Sequence, residues 1–109
     1  MATTEEIIKQ QLRDNAVILY MKGTPQAPRC GFSARAVEAL TKTGVTFASV
    51  DVLENPFIRE KLPAISQWPT FPQLFVAGEL VGGSDIVVEM SVKGELAPLL
   101  TAAAGKGPE

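Results

Sequence analysis

The chain of 109 residues contains no histidine and only one cysteine, Cys30. Without histidine it cannot build a Ser-His-Asp or Cys-His catalytic arrangement, nor can it offer an imidazole to a metal. With one thiol it cannot close an internal disulfide, so redox or metal chemistry needs a second sulfur from outside the chain. There is no excess of one charge either: 10 Lys and Arg stand against 12 Asp and Glu, for a net charge of −2. That balance gives no electrostatic footprint for nucleic acid or an anionic membrane. No apolar run approaches the roughly 20 residues that span a bilayer. The start, Met1-Ala-Thr-Thr-Glu-Glu6, is acidic and lacks the basic-then-apolar pattern of a secretory leader. These absences lead us to expect a soluble protein of a reducing compartment, the cytoplasm.

What is present is an ordinary core composition, 46% hydrophobic, in a length suited to one compact domain. We expect that domain to cover residues 1–109, with a frayed tail over about 105–109. Thr3 followed by Glu6 fits a capping box and predicts a helix through Arg13, with Ile7, Ile8 and Leu12 on its apolar stripe. Ala16–Met21 is a short, continuous apolar run expected of a strand covered on both faces. Gly23, Pro25 and Pro28 predict a loop over Lys22–Arg29. Helical spacing returns over Gly31–Lys42, with Gly44 as the expected C-cap, and Val45–Val52 alternates as a second strand. Asn55-Pro56 predicts a helix start, and Pro63 is expected to end or kink that helix after Leu62. Gln73–Val76 and Glu79–Val81 read as a hairpin turning at Ala77-Gly78. A helix then opens at Gly82-Gly83-Ser84-Asp85, with Ser84 or Asp85 as N-cap, and Leu96–Ala104 forms the last helix. This order predicts an α/β thioredoxin-like fold: a four-stranded mixed sheet, its first two strands parallel, flanked by helices.

Four places carry candidate chemistry. Cys30 precedes a helix, where free N–H groups and the dipole stabilise a thiolate and Lys22 and Arg29 add positive potential. A lone cysteine is often an inert buried residue, but a Pro- and Gly-rich surface loop with Gly31 alongside favours a functional thiol. Phe71-Pro72, directly before a strand, suggests a cis bond that would free the Phe71 main chain for strand-type pairing with a peptide-like partner. Gly83 and Ser84, at a helix N-terminus, offer amides to an anion, with the Asp85 carboxylate available to an ammonium group. Such helix starts are mostly structural, and surface cations mostly solvated. Lys22 and Arg59 gain interest only if the fold brings both near Cys30.

Together these residues resemble the monothiol glutaredoxins of the Cys-Gly-Phe-Ser class. The likeness runs over Met21-Lys-Gly-Thr-Pro25, Pro28, Cys30-Gly-Phe-Ser33, Arg59, Trp68-Pro-Thr-Phe-Pro-Gln-Leu-Phe75 and Gly78-Glu-Leu-Val-Gly-Gly-Ser-Asp-Ile86. Ala27, Arg29, Pro63 and Ala77 depart from that pattern. The resemblance implies a glutathione site: Lys22 and Arg59 on the glycine carboxylate, Phe71 before cis-Pro72 on the cysteine unit, and Gly83, Ser84 and Asp85 at the γ-glutamyl end. It further implies a labile [2Fe–2S] cluster bridging a homodimer, with one Cys30 and one glutathione thiolate from each side, which satisfies the four sulfur ligands such a cluster takes. A BolA-like partner and iron–sulfur acceptor proteins are implied as well; nucleic acid and membrane are not. The first functional expectation is therefore an iron–sulfur carrier for cluster transfer or iron homeostasis. The second is a glutathione-dependent oxidoreductase that acts through Cys30. A partner-binding module with an incidental thiol is the third.

Overall fold

The computed structural model describes residues 2–105. Helix α1 spans Thr4–Asp14 and starts with the expected capping box: the Thr3 hydroxyl accepts the Glu6 N–H at 3.2 Å, and the Glu6 carboxylate accepts the Thr3 N–H at 3.0 Å. Strand β1, Val17–Met21, is buried at every residue. The expected loop after it contains a small hairpin, β2 (Gly23–Thr24) against β3 (Ala27–Pro28), closed where the Thr24 hydroxyl accepts the Ala27 N–H. Then come α2 (Gly31–Lys42), β4 (Ala48–Asp51), α3 (Pro56–Ser66), β5 (Gln73–Val76), β6 (Glu79–Gly82), α4 (Ser84–Val92) and α5 (Leu96–Ala104).

The main sheet has the order β4-β1-β5-β6, with β4 parallel to β1 and the other neighbours antiparallel. Alternation along β1 sends Val17, Leu19 and Met21 to one face, under α2, α4 and α5, where Leu40, Val87, Leu96 and Leu100 are buried. Ile18 and Tyr20 face the other way, under α1 and α3, with Ile8, Ile58 and Leu62. Burial on both faces explains why β1 reads as an unbroken apolar run. This is the thioredoxin-like mixed sheet expected from the order of elements.

Several boundaries differ from the sequence reading. Val45–Phe47 do not pair: β1 meets β4 only from Ile18↔Ala48 onward, and Val45 and Phe47 pack against the core under α2 instead. The C-cap of α2 is Thr43, and Gly44 follows at φ +74°. Helix α3 does not stop at Pro63 but continues through it to Ser66, because the buried Ile58 and Leu62 hold the helix to the sheet. The N-cap of α4 is Gly83, not Ser84 or Asp85; its carbonyl accepts the Val87 N–H at 3.0 Å. A side chain would be crowded there, since a Cβ on Gly83 would stand 3.2 Å from Trp68 Nε1 and 3.3 Å from the Pro72 carbonyl. The tail expected over 105–109 lies outside the described residues, except for Gly105, which caps α5 in right-handed helical conformation.

Candidate functional site

The sheet brings several chain ends to one edge. β5 begins where β1 ends, at Tyr20↔Gln73, and β6 ends beside them, at Leu74↔Gly82. The N-terminus of α2 follows β1 through the small hairpin, and the N-terminus of α4 follows β6 directly. Between them and α3 lies a cleft of about 700 Å³. Lys22, Cys30, Arg59, Phe71, Pro72, Gly83, Ser84 and Asp85 all line it, so the residues singled out from the sequence share one space.

Cys30 is the N-cap of α2, with extended backbone (φ −154°, ψ 138°), and is partly exposed. The neutral thiol makes no capping hydrogen bond. Its pKa is nevertheless lowered, first by the backbone N–H of Ser33, then by the Phe32 N–H, the Ser33 hydroxyl and the Lys22 ammonium, with burial opposing them. These are the free amides at a helix start that favour a thiolate. Ser33 is fully buried, and its hydroxyl accepts the Lys22 N–H at 3.1 Å, which ties the helix to the end of β1.

The hairpin carrying Lys22 to the cleft has its own requirements. Gly23 takes φ +94°, and a Cβ there would stand 2.6 Å from the Ala27 carbonyl and 2.7 Å from the Arg29 N. The Gly23 N–H donates to Asp51 Oδ1 at 2.9 Å, and the Arg29 N–H donates to the Lys22 carbonyl at 2.9 Å. Arg29 does not line the cleft, so its charge is not part of the shared wall.

Opposite, the Phe71–Pro72 bond is cis. Phe71 precedes the first paired residue of β5, Gln73, so its main chain stands outside the ladder at the cleft wall. The buried Gln73 amide donates to the Trp68 and Thr70 carbonyls at 2.9 and 3.1 Å and pins that wall from behind. At the start of α4, Ser84 is 6% exposed and its hydroxyl has no partner among the described residues. Neither Lys22 nor Arg59 forms an ion pair among the described residues; the pairs present, Lys9–Glu5, Lys42–Glu38 and Lys93–Glu89, lie elsewhere.

Sequence reasoning missed part of the lining: Phe32, Pro63, Trp68, Thr70 and Ile86 also face the cleft. Trp68 enters the sequence reading only as part of the family pattern, and Pro63 as a helix breaker and a departure from that pattern. The exposure of Phe32, 56% for an aromatic next to a thiol, is visible only in the fold. The arrangement can hold a small, extended molecule carrying carboxylates and an ammonium group, with a thiolate beside it. Among the described residues no group of three or more His, Cys, Asp or Glu could hold a metal. None of the helices is long and apolar enough to cross a membrane.

The family model for glutaredoxin matches residues 17–81. Glutaredoxin 4 of Escherichia coli K12 is 57% identical over 106 residues, covering 97% of this chain and 92% of that protein. The probable monothiol glutaredoxin GrlA of Legionella pneumophila is 64% identical over 83 residues, 76% of this chain and 93% of the relative. Among solved structures, reduced poplar apo GrxS14 superposes with a TM-score of 0.80 at 40% identity, covering 94% of each chain. The chain belongs to the glutaredoxin family, as a monothiol member of the Cys-Gly-Phe-Ser class.

Proposed function

We propose that the cleft binds glutathione and that Cys30, together with that glutathione's thiol, provides half the sulfur ligands of a [2Fe–2S] cluster shared by two subunits. The observation that carries this reading is the composition of the cleft: a single acidic thiol beside unpaired cations and an open helix N-terminus, in a chain with no second thiol and no imidazole. A site with one protein ligand fits a four-sulfur cluster only if the other three sulfurs come from outside, and two chains with two glutathiones meet that count.

Each part of the tripeptide has a counterpart in the cleft. Lys22 and Arg59 take the glycine carboxylate, and the Phe71 main chain before Pro72 pairs with the cysteine unit in extended form. The amides of Gly83 and Ser84 take the γ-glutamyl carboxylate, helped by the unpartnered Ser84 hydroxyl, and Asp85 takes its ammonium. Cys30 is kept as thiolate by the α2 amides, the form needed of a ligand. When bound, the cluster supplies exchangeable iron and sulfide for transfer to acceptor proteins or for iron sensing. Residues 1–109 then act as one glutaredoxin domain, homodimeric with cluster and open to a BolA-like partner that brings the imidazole this chain lacks. The reducing cytoplasm is the matching compartment. Anaerobic reconstitution with iron, sulfide and glutathione should give a brown dimer, and Cys30→Ser should abolish it. A colourless monomer from the unaltered protein overturns the reading.

The lowered thiol pKa favours a second activity at the same site. The Cys30 thiolate attacks the glutathione sulfur of a glutathionylated protein; the protein's thiolate leaves and takes up a proton. The resulting Cys30–glutathione disulfide is attacked by a second glutathione thiolate, releasing oxidised glutathione and restoring Cys30. Turnover in a glutathione-coupled disulfide assay measures this activity, and its absence in the cluster-free protein excludes it.

A further inference from the structure

Lys22 and Arg59 come from segments far apart in sequence, yet face one cleft. Asp51, the last residue of β4, joins those segments. Its Oδ1 accepts the Gly23 N–H at 2.9 Å, one residue past Lys22. The same oxygen accepts the Leu53 N–H at 2.9 Å, which bends the chain out of β4. Its main-chain carbonyl accepts the Asn55 side-chain amide at 2.8 Å and the Glu54 N–H at 3.2 Å. Asn55 in turn is the N-cap of α3, and its carbonyl accepts the Arg59 N–H at 3.0 Å. The Asn55 side chain thus turns back to Asp51 and makes no cap on α3.

We propose that Asp51 is a positioning residue that sets the separation of Lys22 and Arg59, and so tunes recognition of the ligand's glycine carboxylate. Asp51 does not line the cleft itself; its carboxylate acts through the backbone amides of Gly23 and Leu53, and its main-chain carbonyl holds Asn55. Gly23 takes φ +94°, a conformation a side chain would oppose, and in it the Gly23 N–H meets the Asp51 carboxylate. A two-point clamp on one carboxylate depends steeply on the placement of both cations, as bidentate recognition does.

The inference rests on glutathione being the ligand, and its test separates the two. Calorimetric titration compares glutathione with γ-glutamylcysteine, which lacks the glycine carboxylate. The unaltered protein should prefer glutathione, and Lys22→Ala or Arg59→Ala should erase that preference. Should the unaltered protein show no preference, the assignment of the cations fails, and the role of Asp51 with it. If the preference is present, Asp51→Ala should weaken glutathione binding about tenfold, equivalent to about 1.4 kcal/mol, and leave γ-glutamylcysteine binding within about twofold. Asp51→Asn, which keeps an oxygen acceptor for both amides, should restore the preference. Equal losses for both ligands in Asp51→Ala, or an unrescued Asp51→Asn, would show a merely structural residue and overturn the proposal. Should Asp51→Ala not fold, Asn55→Ala removes only the side-chain bond that holds the start of α3 to the Asp51 carbonyl. It must then reduce the preference in the same direction, and an unchanged preference overturns the proposal equally.

Discussion

The Ser33 backbone N–H comes ahead of the Lys22 ammonium among the causes that lower the Cys30 thiol, so the acidity is built mainly into the start of α2. Thiolate is the reactive form, so the rate of alkylation by a neutral reagent should level off at a lower pH than for free cysteine. A depressed thiol also adds stability that is present above the unfolded thiol's pKa and is lost as pH falls through the folded value. Replacing Lys22 by Gln should move the alkylation midpoint upward only slightly. Ser33→Ala should move it upward too, and because the Lys22 N–H then loses its acceptor, it should also cost about 1–3 kcal/mol in urea unfolding. A large upward move in Lys22→Gln would argue against this account of the thiol. Gly31 gives a complementary prediction at the next residue. Nothing lies within 4 Å of a Cβ built there, and its φ is not positive, so the fold does not require glycine. Gly31→Ala should leave stability unchanged or raise it by up to about 1 kcal/mol. If a second subunit closes over Cys30, the same change should lower the fraction of cluster-bound dimer. Full loading in that variant would show that nothing is pressed against the position.

At the scale of elements, the parts legible in the sequence were those set by local rules: the Thr3 capping box, α2 over Gly31–Lys42, α5 over Leu96–Ala104, and the β5–β6 hairpin over positive-φ Ala77 and Gly78. Tertiary packing overrode the rest. Pro63 illustrates the competition. It removes the N–H that would bond the Arg59 carbonyl, a penalty near 3 kcal/mol in a helix interior, yet Ile58 and Leu62 are held under the sheet and the helix continues. The end of α3 also benefits, as the Pro63 carbonyl accepts the N–H groups of Gln67, in left-handed conformation, and of Trp68. Pro63→Ala should therefore stabilise the protein by about 1–3 kcal/mol and raise helical circular dichroism. A destabilised variant would mean that the ring's contact with the cleft outweighs the missing hydrogen bond. The Gly83 N-cap was illegible for a related reason. Sequence rules favour Ser84 or Asp85, but the helix starts one residue earlier, at a glycine against which Trp68 and Pro72, distant in the chain, pack closely.

For the whole molecule, the candidate residues could be singled out from sequence because they sit at element ends, where short motifs are informative. What sequence could not supply was their convergence, which comes from the order β4-β1-β5-β6 and places the end of β1 and the starts of β5, α2 and α4 at one edge. That convergence makes stability a reporter of binding. A ligand held only by the folded cleft at ten times its Kd adds about 1.4 kcal/mol. For a chain of this length that raises Tm by roughly 6 °C. Trp68, the only tryptophan, lines the cleft, so its fluorescence should change in the same titration. Lys22 and Arg59 have no ion-pair partners among the described residues, so the double variant Lys22→Ala/Arg59→Ala should melt close to the unaltered protein when no ligand is present. Adding glutathione at the same concentration should then raise its Tm by much less. An undiminished rise would locate the glutathione carboxylate away from these two cations, whereas a lower Tm without ligand would show that they also hold the fold together.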